Sequence, residues 1–202
     1  VGIGRDMRRL SGELVGELTL PAPAPPHELY RALCDATSRR RGRPVLFRTA
    51  VFPPGTASGL WLDLTDRDLV VVEEGTAPDH QLVILGHELW HLYAGHHGHD
   101  VEGIGAAARL LNETTGRGRG RGTGDTGPDS DRAAVQAAVR AAVQGMAART
   151  RFDRGEERDA ETFGLLLASK CRTWLAGSTL RGPVRRHDVA GRIEASLGYP
   201  GK

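Results

Sequence analysis

Between Met7 and Leu18 the apolar residues Leu10, Leu14, Val15 and Leu18 recur at three- and four-residue intervals, which predicts an amphipathic helix. The stretch LPAPAPP from Leu20 ends it, because proline cannot continue a helix. A second helix is expected from His27 to about Ser38, with Leu29, Leu33 and Ala36 facing inward. The period then changes to that of strands. PVLFRTAVF, from Pro44, reads as one strand, and GLWLDLTDRDLVVVEE, from Gly59, reads as a hairpin turning at Thr65 to Asp68. Helical spacing returns after Thr76, Pro78 and Asp79, a helix-start signal followed by Leu82, Leu85, Leu89 and Leu92. Farther on, an Ala-rich helix is expected from Arg132 to Ala148. After it comes a helix whose Ala160, Phe163, Leu167 and Lys170 track one face, and then a short last helix in RHDVAGRIEASLGYP. The pattern is that of an α+β chain with a sheet of about three strands.

Residues 112–131 break this alternation. NETTGRGRGRGTGDTGPDSD has no apolar face, cannot offset the entropy of ordering, and reads as a flexible Arg/Gly-rich linker. It separates an N-terminal part, 7–111, from C-terminal helices, 132–202, within what 202 residues make a single domain. Residues 1–6 precede Met7, which is the expected natural start. The arginines of SRRRGRP, from Ser38, read as a solvated loop, with phosphate binding as the rival.

A hydrophobic content of 39% beside 26% charged residues is that of a globular protein. The formal charge of +2 is too small to imply a nucleic-acid partner. Cys34 and Cys171 fit neither a disulfide framework nor a CxxC metal pair. With no long apolar run and no signal-peptide pattern, a cytoplasmic protein is expected, with no membrane partner.

The chemistry concentrates in GHELWHLYAGHHGH, from Gly86, which holds five of the chain's eight histidines. His87-Glu88-Leu89-Trp90-His91 is an HExxH motif on a predicted helix. Four residues advance a helix by little more than one turn, so both imidazoles leave one face and can share a tetrahedral ion such as Zn2+. Glu88, one step round, can reach a water at the metal without ligating it, the place of a general base.

A catalytic zinc site needs a third protein ligand and an open position. One candidate is His97, ten residues after His87, the metzincin spacing, although that pattern has glycine where Ala94 stands and Gly95 comes one place late. The favoured candidate is Glu157 in GEERDAETFG, with Glu161 four residues on as a second carboxylate able to orient a ligating imidazole, as in thermolysin-like glutamate zincins. Glu156 and Asp159 are fallback ligands. Tyr93, His96, His97 and His99 are candidates to stabilise an oxyanion.

The N-terminal helix, the small sheet with its GLW strand, the HELxH helix ending in GHH and the later E-x-x-A-acidic-x-F together resemble the IrrE/ImmA family of zinc metallopeptidases. The likeness is greatest to toxin components of toxin-antitoxin pairs, and covers roughly Met7 to Lys170. It implies a zincin-like helical domain with the sheet packed near the HExxH helix. It also implies His87, His91 and Glu157 as zinc ligands, Glu88 as catalytic base and Glu161 as the supporting acid. The activity implied is cleavage of a partner protein, often a transcriptional repressor or an antitoxin. The chain departs from the family in carrying Trp90 where Gly is common, which would narrow the cleft, and Gly164 where Ala is common. Two rival readings stand beside the peptidase. One is a non-catalytic zinc-containing module that grips an antitoxin or repressor. The other is nucleic-acid binding through Arg39 to Arg43 and Arg117 to Arg121, a direct interaction that the modest charge makes the weaker of the two.

Overall fold

The computed structural model describes residues 2–95, 111, 128–147 and 154–176. Six helices and a three-stranded sheet are present among them, so the chain is α+β as its periodicity predicts. Helix α1, Ile3–Gly16, starts before Met7 and buries Met7, Leu10 and Leu14. Helix α2, Pro26–Arg41, opens on a proline whose missing N–H costs nothing there, and stops at Gly42, whose φ of 72° is left-handed.

Strands β1 (Val45–Ala50), β2 (Gly59–Asp63) and β3 (Asp68–Glu73) form a sheet ordered β1-β3-β2. The β2–β3 pair is the expected antiparallel hairpin, and β1 lies parallel to β3 on its other side. As the central strand, β3 is buried on both faces, which explains its unbroken apolar run. On one face Val70 and Val72 join Val45 and Trp61 in the main core. On the other, Leu69 and Val71 join Leu60 and Leu62 in a second core.

Helix α3, Pro78–Ala94, helix α5, Arg154–Lys170, and the short α6, Arg172–Leu175, pack with α1 and α2 on the main-core side. The second core is closed by helix α4, Pro128–Ala147, through Val135, Ala138, Val139, Ala142 and Val143. This helix begins four residues earlier than expected, inside the segment read as linker. Pro128 and Asp129 are an ordinary start signal, hidden by the low-complexity stretch before them. Residues 112–127 of that linker, including Arg117 to Arg121, and the expected last helix lie outside the described residues.

The arginine run is not a solvated loop. Arg39 pairs with Glu17 at 2.8 Å and Arg40 with Glu13 at 2.6 Å. Arg41 and Arg43 meet the fully buried Asp68 at 2.5 and 3.3 Å. Asp68 also accepts the indole N–H of Trp61 at 2.9 Å, and Arg41 lies 5.7 Å from the centre of that ring. The end of α2 is thereby clamped to the start of β3 and to β2. Cys34 and Cys171 are free and buried, and burial raises both thiols above their ordinary range, that of Cys171 to about 12.

Candidate metal centre

Helix α3 is built to present one polar face from an otherwise buried rod. Pro78 opens it, Leu82, Leu85, Leu89 and Leu92 bury its apolar stripe, and Gly95 ends it in the left-handed conformation at φ 67° with its N–H on the His91 carbonyl. The turn therefore falls one residue after the metzincin position, and His97 lies outside the described residues.

Helix α5 reaches this face because two glycines meet at the crossing. A Cβ on Gly86 would sit 2.8 Å from the Gly164 Cα, and one on Gly164 would sit 2.4 Å from the Val83 carbonyl oxygen. Only bare backbone fits on either side. Above that contact Phe163 stacks on Trp90, ring centres 5.1 Å apart. Trp90 is 4% exposed and belongs to the main core, so it fills the α3–α5 interface and does not narrow a cleft.

The crossing brings His87, His91 and Glu157 together, with one ligand atom from each lying within 4.8 Å of the others. The two Nε2 atoms are 3.0 Å apart. Glu157 places Oε2 3.4 Å from His87 Nε2 and Oε1 3.5 Å from His91 Nε2. Metal bonds of about 2.0–2.2 Å at tetrahedral angles separate their donor atoms by roughly 3.3–3.5 Å; both approaches of Glu157 match this, and the 3.0 Å between the imidazoles needs to open by only about 0.3 Å for one small divalent ion. The cluster can hold a metal. His91 is almost enclosed, whereas the Glu157 side chain is 42% exposed, so the site opens to solvent on that side.

Burial works against a proton on His87, but its hydrogen bond to Glu157 and the charges of Glu88, Glu157 and Glu161 prevail and raise its pKa. Glu161 thus acts on the centre through its charge. Glu88 is buried beside His87. Burial pushes its carboxyl up to about 7, the Glu157 charge adding to the rise while His87 and the main-chain N–H of Trp61 oppose it.

Tyr93 does not serve this face. Its hydroxyl accepts a hydrogen bond from Arg9 at 3.0 Å, and its ring lines a pocket between α1, α2 and α3 with Leu10, Leu14 and Leu92. His96, His97 and His99 lie outside the described residues. Asp68 and Gly86 had no role in the sequence reading of the site, where Gly59 and Trp61 entered only through the GLW strand of the resemblance and Gly164 only as a departure from it. The one available signal was glycine inside predicted strands and helices, which marks close approach of another chain segment. Comparison with protein-family models, curated proteins and solved structures finds no match for this chain. No helix among the described residues is long and apolar enough to cross a membrane.

Proposed function

We propose that this chain is a zinc-dependent metalloendopeptidase that cleaves a partner protein. The observation that carries the reading is the convergence of His87, His91 and Glu157 with a buried, non-ligating Glu88 beside them. His87, His91 and Glu157 would hold the zinc ion. Zinc bound by three protein ligands supplies Lewis acidity, polarising a carbonyl and bringing the pKa of water to about 7. A buried carboxylate beside that water would accept its proton and return it to the leaving amine, which is the task assigned to Glu88. Enclosure of His91 keeps bulk water from the inner side, and the exposed Glu157 side admits the peptide.

The outer edge of β2 supports the peptide reading. The Glu73 N–H bonds to the Ser58 carbonyl, so strand alternation turns the main-chain groups of Gly59, Trp61 and Asp63 away from β3. The Trp61 N–H on this edge is taken by Glu88, so an extended substrate adding to the strand would pair with the main-chain groups of Gly59 and Asp63 on either side of it. The zincin-like class and a repressor or antitoxin as partner are supported by the sequence resemblance.

Elemental analysis of purified wild type and Glu88→Gln, with both incubated with a mixed peptide library and read by mass spectrometry, tests the proposal. Equal zinc in the two, with cleavage in wild type alone, is the expected result. Wild type without a stoichiometric metal, or cleavage retained in Glu88→Gln, overturns it.

A further inference from the structure

We propose that Gly59 and Trp61 are positioning residues for Glu88, and that β2 sets the aim of the base as closely as α3 does. This rests on the reading of Glu88 as the base. The first observation is steric. A Cβ on Gly59 would lie 2.6 Å from Glu88 Oε1 and 2.5 Å from Ile84 Cγ2, so the carboxylate rests directly on the strand where a side chain is missing. Ile84 is β-branched and stiff, which leaves the Glu88 carboxylate as the group that gives way when that space is filled. The second observation is polar. The main-chain N–H of Trp61, on the outward side of β2, bonds to the same carboxylate. An ionised carboxylate has about four lone-pair sites, so one main-chain donor can fix its orientation and still leave capacity for a proton.

The third observation is what holds the strand. The Trp61 indole N–H is tied to Asp68 at 2.9 Å, Asp68 is fully buried between Arg41 and Arg43, and Arg41 also covers the indole ring. The height of Trp61 above α3 is therefore set by charges anchored at the far end of α2. A line of direct contacts runs from Arg41 and Arg43 through Asp68 and Trp61 to Glu88. It gives the arginine run a role that neither solvation nor phosphate binding supplies.

The test uses the full chain labelled with 13C at the glutamate carboxyl carbons, the Glu88 resonance being identified by its loss in Glu88→Gln. Gly59→Ala should move that resonance while zinc content stays at the wild-type level. Trp61→Phe, which keeps an aromatic ring and the main-chain N–H but removes the indole N–H that ties the side chain to Asp68, should move it less. On a peptide that wild type cleaves, Gly59→Ala should lower kcat by roughly 10²-fold, the lower end of a general base's contribution, with KM little changed. If Gly59→Ala does not fold, Trp61→Phe decides. A Glu88 resonance unmoved in the folded variants overturns the proposal. Loss of zinc binding in step with kcat also overturns it, because the strand would then be supporting the ligands. A wild type that binds no zinc and cleaves nothing removes the peptidase reading instead, and the resonance still reports whether β2 places Glu88.

Discussion

Gly164→Ala is the most demanding test of how the centre is assembled. Alanine is the better helix former by about 0.8–1.0 kcal/mol, so local propensity alone predicts a more stable protein. The packing predicts the opposite. The new Cβ would stand 2.4 Å from the Val83 carbonyl oxygen and 3.2 Å from the His87 N, and both are backbone atoms that no rotamer change can move aside. To pass from 2.4 Å to the 3.0 Å below which such contacts do not occur, the helices must part by roughly 0.6 Å. Overpacking of this kind costs about 1–3 kcal/mol, which leaves a net loss of about 0–2 kcal/mol. The displacement is transmitted to Glu157, two turns back on the same helix, and opens its 3.4 and 3.5 Å approaches to the imidazoles. Zinc affinity should then fall roughly 10–100-fold, the range seen when a ligand's support is lost. Urea unfolding of the metal-free protein and competition with a chromophoric chelator measure the two effects separately. Gly16→Ala, where a Cβ meets open space, is the control and should stabilise by up to about 1 kcal/mol. A Gly164→Ala protein as stable as propensity predicts, with zinc affinity unchanged, would refute the crossing argument.

Glu157→Gln should strip zinc from the protein while His97→Ala leaves it in place, as elemental analysis would show; the reverse pattern makes His97 the third ligand. Because the raised pKa of His87 means a proton must leave before metal enters, zinc affinity should be full above that pKa and fall as pH drops through it, in chelator competition between about pH 5 and 8. For the metal-free chain the sign reverses: the contribution of His87 to stability is complete below the unfolded imidazole pKa and is lost as pH rises through the folded one, which melting in the presence of a chelator can follow. Asp68→Ala removes the carboxylate shared by Arg41, Arg43 and the Trp61 indole; because both guanidinium groups reach solvent and Arg43 keeps Asp63, the cost in urea unfolding should be about 1–3 kcal/mol.

Local periodicity made most of the elements legible. The HExxH helix, the hairpin and the two N-terminal helices all carry their signals within a few residues of themselves, from Pro78 and its leucine stripe to the run around Thr65. The pairing of His87 and His91 with Glu157 was legible for a different reason: a metal held by HExxH wants a third ligand, and GEERDAETFG sets Glu157 and Glu161 four residues apart on a predicted helix. What could not be read depends on residues that meet only in three dimensions. Nothing near Arg40 and Arg41 announces Glu13 or Asp68, 27 residues away in each case, and a run of arginines without its partners looks like a wet surface. The parallel seat of β1 beside β3 is a choice among sheet edges that alternation does not make. Gly59 and Gly164 are informative only through the atoms they admit. Trp90, read as a cleft residue from its place in the motif, is claimed by the stack on Phe163 because its side of α3 faces the core.

The division of the interior by β3 has a consequence for how the molecule comes apart. Among the described residues, His87, His91 and Glu157 stand on α3 and α5, which share the main core with α1 and α2, whereas α4 is held through Val135, Val139 and Val143 on the reverse of the sheet. The sheet works as a bulkhead between two compartments. Detachment of α4 floods only its own, so amide exchange in that helix should run ahead of exchange in α3, and the centre should outlast the loss of its neighbour.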